Sequence, residues 1–369
     1  MATIFYSVMG EGRGHAARAR SMVEALRGRH RVVLYTSHDA LRFLGEQYDG
    51  DPEVEVREIP GLRFHYTGGE LDNGKTIREG LSFWLGRGRE VQRLLADFDR
   101  ERPDLVVCDF EPLLPRAAHR RGVPVLSLDH QHFMVAYDLS SLPKRLQRWA
   151  WAMGWSIWMF GIGQQRSVIS AFYDPPLRPA WRDAVQVGPL LRPAVRDRKP
   201  VVGGHVLTYL RPATPPRVVE MLSRLATPVR IYGLGVRAPV GSATFHAINE
   251  RAFLDDLSAC DCVIAAAGNQ LLGEALYFGK PVFALPEWNH HEQCINAHFL
   301  KQLGGGDWAP LERVGDNDLR VFLSRREGYR RALAESGLEF DGTPAAAAAI
   351  EAMLEPSSKA QHAGHAVSA

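Results

Sequence analysis

The chain has 369 residues, 46% hydrophobic and 23% charged, with 44 basic against 42 acidic side chains and a net charge of +2. That length allows two domains of ordinary size, and the composition is that of a soluble globular protein. A membrane-spanning helix is excluded, because no segment holds 18 consecutive apolar residues. A nucleic-acid binder is not indicated either, because the small basic excess is far from the footprint such proteins carry.

The N-terminus, MATIFYSVMGEG, lacks the basic start and long apolar run of a secretory signal. It reads as a buried strand, Thr3 to Met9, running into a glycine-rich turn, GEGRGHAARA, and a helix to about Leu26. Strand-to-helix turns of this kind commonly receive a charged ligand. Glycines at 10, 12 and 14 followed by His15 do not make the dinucleotide fingerprint, since a histidine stands where its third glycine belongs. His15 is a candidate general base, because a neutral imidazole can take a proton from a hydroxyl near pH 7. Glu11 is a rival base or a carboxylate that orients it, and capping or packing of the helix start is the structural alternative. Arg13 and Arg18 could approach phosphate, but read rather as solvated.

Alternation continues with a strand at 32–36, a helix at 39–47 and a strand at 54–59. The loop 61–74, with Phe64, His65 and Tyr66, suits an acceptor side, and a helix covers 75–101. Strands at 105–108 and 123–128 end in Asp109 and Asp129, where α/β proteins place ligand-binding residues. Asp109 is the candidate for orienting His15. Asp129 opens D-H-Q-H, and His130 and His132 could meet an acceptor or serve structural hydrogen bonds. A metal at this H-x-H pair would lack a third ligand nearby in sequence.

Residues 144–166 hold four of the eight tryptophans. Trp151, Trp155 and Trp158 fall on one helical face, with Lys144, Arg145 and Arg148 at its start. The composition suits a membrane interface, the wall of an acceptor pocket, or a buried core helix. Prolines at 175, 176, 179, 189 and 193 with a charged run at 196–200 mark a linker.

A second alternating set begins with a strand at 205–210. Arg211, in the loop behind it, could bind phosphate or only cap the loop. A helix at 216–225 and a strand at 229–232 lead to Gly233-Leu234-Gly235. The strand at 244–248 precedes Asn249, a cap for the helix 250–259. The stretch 261–300 is the most informative. A buried strand around Val263 and Ile264 meets Gly268, which permits a tight turn, and Asn269 can cap the next helix. That helix ends at Gly279 before Pro281. A strand at 282–285 gives way to a polar loop, Glu287 to Gln293, and a helix. Further helices cover 316–325 and 343–354.

Gly268-Asn269-Gln270, Glu274, Glu292-Gln293 and Asn296-Ala297 resemble the donor-binding segment of the two-domain (GT-B) nucleotide-sugar glycosyltransferases. The likeness is to glycosyltransferase family 28 and to the UDP-glycosyltransferases. The resemblance implies two Rossmann-like α/β domains facing across a cleft. These are an acceptor-binding domain at 1–175, a linker at 176–200 and a nucleotide-sugar domain at 201–340, then a helix at 341–356 and a disordered tail at 357–369. It also implies that the Gly268 helix start holds the diphosphate and Glu274 the ribose hydroxyls. His290, Glu292, Gln293 and Asn296 would surround the sugar, and Arg211 and Gly233 would line the diphosphate region. His246, with Phe245 and Ile248, would lie by a uracil. His15 matches the histidine that ends the family's first glycine turn. A helix N-terminus binds phosphate without lysine or metal.

The expectation is therefore an inverting, metal-independent glycosyltransferase that needs no cofactor. It would move a sugar from a UDP-sugar to a hydroxyl acceptor, lipid-linked or otherwise membrane-associated. The E-x7-E of retaining enzymes is absent, since Val282 stands eight residues after Glu274. The rival readings are a nucleotide-sugar 2-epimerase and a non-catalytic sugar-nucleotide or lipid-binding protein. Cys108, Cys260, Cys262 and Cys294 lack paired metal spacing and read as reduced thiols of a cytoplasmic protein, one able to sit at the inner membrane face.

Overall fold

The structure, a computed structural model, describes residues 1–355 apart from 12, 63–65, 68–69, 72 and 161–162. Phe64, His65, the side chains of Arg13 and Tyr66, and the tail 357–369 lie outside the described residues. The first half opens with β1 (Thr3–Val8), α1 (Arg13–Leu26), β2 (Arg31–Thr36), α2 (His38–Gln47) and β3 (Val54–Glu58). A short hairpin, β4 (Tyr66–Thr67) and β5 (Glu70–Leu71), leads into the long α3 (Asn73–Glu101). Then come β6 (Leu105–Asp109), α4 (Leu114–Arg121), β7 (Val125–Asp129), α5 (Phe133–Ala136) and α6 (Lys144–Phe160). β8 (Arg166–Ser170) and β9 (Val185–Val187) complete a seven-stranded sheet, β3-β2-β1-β6-β7-β8-β9.

All its pairings are parallel. Parallel strands are covered on both faces, which is why β6 and β7 are buried along their whole length. β9 lies inside the span expected as linker, because Val185–Val187 pairs with β8.

After α7 (Pro193–Arg196), the second half runs β10 (Val206–Tyr209), α8 (Pro216–Ser223), β11 (Val229–Tyr232), β12 (Ala243–His246), α9 (Glu250–Ala259) and β13 (Cys262–Ala265). It continues with α10 (Asn269–Tyr277), β14 (Val282–Ala284), α11 (His291–Gln302), β15 (Gly306–Trp308) and α12 (Asp316–Glu335). Its six strands are ordered β12-β11-β10-β13-β14-β15, all parallel. The last helix, α13 (Thr343–Leu354), returns to the first half. Its Ala346, Ile350 and Met353 join the core formed by Ile4, Met22 and Val23.

Both sheets reverse their strand order once, between β1 and β6 and between β10 and β13. Open α/β sheets bind ligands at the carboxyl ends of such strand pairs. His15 and Asp109 follow the first pair and Gly268 follows the second.

Candidate active site

β1 and β6 pair with Val8 opposite Asp109, so the turn into α1 emerges beside the Asp109 carboxylate. Glu11 is half-buried in that turn. His15 and Arg18 lie one helical turn apart on one face of α1. His15 Nδ1 is 2.8 Å from Asp109 Oδ1. Arg18 donates to the same carboxylate, from Nε to Oδ2 at 3.0 Å and from Nη2 to Oδ1 at 2.7 Å. Arg18 is therefore buried and paired, not solvated. A charge placed over a wholly buried carboxylate must be paired, and Asp109 has 0% exposure.

Burial alone would raise the Asp109 pKa, but Arg18 and then His15 hold it below the ordinary carboxylate value. Arg18 Nη2, a donor, also lies 2.9 Å from His15 Nδ1. An ionised carboxylate only accepts, so the contact with Asp109 is a hydrogen bond in the tautomer with the proton on Nδ1, and in that tautomer Nε2 keeps its lone pair. Gln131 Nε2 approaches that nitrogen at 3.4 Å. A dyad of this form can take a proton at Nε2.

The loop after β7 serves two ends. Asp129 accepts from the His132 backbone N–H at 2.9 Å and from His132 Nδ1 at 2.7 Å, and Gln164 Nε2 closes the ring's other nitrogen at 2.9 Å. His132 is thus a buried structural residue rather than an acceptor contact. His130 also departs from the acceptor reading. Its Nδ1 bonds the Ser170 carbonyl at 2.9 Å. Its buried Nε2 has no hydrogen-bond partner and lies 3.9 Å from Glu292 Oε1 in the second half. Burial lowers the His130 pKa against the opposing pull of Glu292.

The Ser170 carbonyl also receives Asn269 Nδ2 at 3.3 Å, and Asn269 Oδ1 accepts from the Phe172 N–H at 3.4 Å. Asn269 therefore joins the halves instead of capping its helix. Gly268 takes the N-cap position. Its φ of −75° is open to any residue. A Cβ there would meet nothing within 4 Å. The first N–H groups of α10 lack intrahelical acceptors and carry partial positive charge. Glu274 lies deeper in α10 and is buried. Gln270 Nε2 donates to its Oε1 at 3.0 Å and to the Leu190 carbonyl at 3.1 Å.

Glu292 and Gln293 lie in the first turn of α11, not in a loop, because that helix starts at His291 behind the half-buried His290. Glu292 is partly exposed. Gln293 is buried, accepting from the Glu287 N–H at 2.9 Å. Asn296 is fully buried and held by protein on both sides of its amide. Tyr173 Oη donates to its Oδ1 at 2.9 Å, and its Nδ2 donates to the Ala267 carbonyl at 2.9 Å. It ties α11 to the end of β13 and to the first half, so direct sugar contact is not its place.

Arg211 is exposed and pairs with Glu287 at 3.0 Å. Gly233 has φ 91°, and a Cβ there would sit 2.0 Å from the Leu210 carbonyl oxygen, so this position requires glycine. His246 stacks on Tyr232 with centroids 5.2 Å apart, while its β12 neighbour Phe245 points into the core and is buried.

Trp151, Trp155 and Trp158 are 79%, 55% and 69% exposed. That removes the buried-core reading of their helix. The other side of α6 meets the second half, where Trp149 stacks on His291 at 5.2 Å. Among the described residues no three His, Cys, Asp or Glu side chains are grouped to hold a metal. None of their helices is long and apolar enough to cross a membrane. Cys108, Cys260 and Cys262 are buried free thiols. Arg18, Gln131 and Tyr173 were not picked out as site residues from sequence. Gln131 sat between two singled-out histidines, which was a usable signal.

Two α/β halves whose strand carboxyl ends face one another, Ser170 meeting Asn269 and His130 meeting Glu292, have the architecture of GT-B glycosyltransferases. The chain belongs to glycosyl transferase family 1, whose model matches residues 2–326. A UDP-N-acetylglucosamine–N-acetylmuramyl-(pentapeptide) pyrophosphoryl-undecaprenol N-acetylglucosamine transferase from Chelativorans sp. (strain BNC1) is 27% identical over 351 residues, covering 90% of this chain and 88% of that protein. Acinetobacter baumannii MurG superposes with a TM-score of 0.63 at 16% identity, covering 95% of this chain and 100% of that one. Arabidopsis thaliana UGT89C1 complexed with UDP-L-rhamnose gives a TM-score of 0.66 at 14% identity, over 96% and 99%. The protein is a glycosyltransferase.

Proposed function

We propose that this glycosyltransferase moves a sugar from a UDP-sugar to a hydroxyl of a lipid-linked acceptor, with inversion and without a metal. The observation that carries the reading is the His15–Asp109 dyad. Gln131 approaches His15, and the adjacent residue, His130, lies 3.9 Å from Glu292, at the junction where the Gly268 helix start also meets the first half.

The acceptor hydroxyl gives its proton to His15 Nε2 as its oxygen bonds the anomeric carbon. The bond from that carbon to the diphosphate oxygen breaks, and its electron pair leaves with UDP. The positive N-terminus of α10 stabilises the charge that develops on the leaving group. Attack from the face opposite the leaving group inverts the anomeric centre. Asp109 fixes the His15 tautomer and stabilises the imidazolium that forms.

The lipid-linked acceptor rests on two supports. The Chelativorans relative is named for a pyrophosphoryl-undecaprenol substrate. The exposed Trp151, Trp155 and Trp158 lie on a helix that begins with Lys144, Arg145 and Arg148, a composition suited to an anionic interface. In this reading the protein is cytoplasmic and binds the membrane peripherally.

The test is UDP release from a panel of UDP-sugars in EDTA, with and without membrane lipid extract. Lipid-dependent release with one sugar, and a lipid-soluble product, is expected. Release that needs no lipid would favour hydrolysis or epimerisation, and absence of release throughout would overturn the reading.

A further inference from the structure

The buried Glu274 carboxylate is not solitary. Arg192, which follows the Leu190-Leu191 segment and caps α7, reaches it with both terminal nitrogens. Nη2 donates to Oε2 at 3.3 Å, and Nη1 lies 3.3 Å from Oε1. Behind the same guanidinium, Nε lies 2.9 Å from Glu250 Oε1 at the start of α9, an ion pair in which that nitrogen makes no hydrogen bond. Glu250 in turn takes Arg20 of α1, with contacts of 2.8 and 3.0 Å from Nη1. Positive and negative groups thus alternate from α1, the helix of His15, to Glu274.

The Glu274 side chain is 3% exposed and that of Arg192 12%. A carboxylate this buried costs several kcal/mol unless it is paired. Arg192 and Gln270 supply that pairing and fix both carboxylate oxygens in one orientation. A carboxylate offers about four lone-pair positions. Gln270 uses one of them on Oε1 and Arg192 Nη2 one on Oε2, while Nη1 is in ion-pair contact with Oε1. An acceptor position on Oε2 is left for a donor from outside.

We infer that Arg192 is a positioning residue for the nucleotide ribose: it holds Glu274 as an oriented acceptor for one ribose hydroxyl. This rests on the proposed role of Glu274 in donor binding and adds a residue that does not itself touch the ligand. The ion pairs of Glu250 with Arg192 and Arg20 are in place without any nucleotide. Ribose recognition is thereby pre-organised by the helix that carries the base.

The experiment measures the affinity of UDP and of 2′,3′-dideoxy-UDP by calorimetry. A hydrogen bond to a charged group corresponds to a preference of about tenfold to hundredfold for UDP in the native protein. Glu274→Gln should remove most of that preference. Arg192→Met should remove it to a similar degree, and Arg192→Lys, which keeps the charge and one donor, should restore a large part. If Arg192→Met does not fold, the lysine variant and Glu274→Gln still decide. A lysine variant whose preference is as low as that of Glu274→Gln overturns the inference, because retained charge and bonding should retain orientation.

Equal weakening of both nucleotides by Arg192→Met would make Arg192 a direct phosphate contact or a fold residue. Tighter UDP binding would make it a block. Either result overturns the inference while leaving the Glu274 reading intact. A native preference near unity, or one unchanged in Glu274→Gln, overturns that reading and the inference with it.

Discussion

Asp109→Asn separates what Asp109 does for the fold from what it does for the proposed reaction. Asp109 is wholly buried and neutralises an Arg18 side chain that is itself 5% exposed. Asparagine is nearly isosteric, but it removes the charge and turns an N–H₂ toward Arg18 or His15. Arg18 then keeps a buried charge without a counter-ion, at a cost of about 3–5 kcal/mol. At roughly 2–4 °C per kcal/mol for units of this size, Tm should fall by about 6–20 °C. His15 loses the carboxylate that keeps the proton on Nδ1, so kcat should fall by about 10²–10⁴.

The double variant Arg18→Met/Asp109→Asn removes both members of the pair. Replacing a buried pair by apolar or neutral groups is often close to neutral. Most of the lost Tm should return, while activity should not. The assays are scanning calorimetry and UDP release on the same preparations. The reasoning is refuted if Asp109→Asn keeps native kcat, or if the double variant regains activity together with stability. Asp109 also has an acid signature. Its pKa is held down in the fold, where the pairing with Arg18 and His15 outweighs burial. It therefore contributes stability above the unfolded carboxylate value of about 4, and this is lost as pH falls through the lower folded value. The double variant should lack that acid-limb loss.

Three other outcomes are expected. Gly268→Ala should fold normally, within about 0.5 kcal/mol of the native protein, since a Cβ there meets no protein atom within 4 Å. Its affinity for UDP should nonetheless fall roughly tenfold or more in calorimetry, because the methyl enters the space over the helix N-terminus. Glu111 accepts from the Leu113 and Leu114 N–H groups, and burial pushes its pKa up to about 7, the two backbone bonds only partly opposing this. A carboxyl raised in the fold stabilises below its unfolded value and loses that contribution as pH rises toward 7. The unfolding free energy from denaturant titrations should decline across that window by on the order of 3 kcal/mol or less, and Glu111→Gln should flatten the decline. Serine at Trp151, Trp155 and Trp158 together should lower co-sedimentation with anionic vesicles roughly tenfold or more, with thermal stability unchanged.

Much of the fold was legible because buried parallel strands advertise themselves as short apolar runs. Punctuation was legible too. Asn249 caps α9 by accepting from the Ala252 N–H at 3.0 Å. Gly279, ahead of Pro281, has the left-handed φ of 65° that a helix end requires. β8 and β9 are not legible in the sequence, since RSVIS and VQV are too short and too mixed to stand out from proline-rich surroundings. α12 runs ten residues past its expected end, because Gly328 and the charged run at 325–331 weaken local propensity without breaking a helix packed through Leu319, Phe322 and Leu333.

The site was legible as residue types at strand ends, not as partners. His15 with Asp109 could be paired by chemistry. Arg18 could not, because its burial depends on which face of α1 turns to β6. Asn296 and Gln293 are the converse case. Their type suits sugar hydroxyls, yet tertiary contacts with Tyr173, Ala267 and Glu287 already occupy their amides.

The central claim is inverting transfer by His15 from a UDP-sugar, and product stereochemistry tests it most directly. The donor that releases UDP is supplied as its α-anomer in EDTA, and the product's anomeric proton coupling is read by NMR. The account predicts a β-linked product from the native enzyme and none above background from His15→Ala. An α-linked product, or undiminished β-product from His15→Ala, would contradict it.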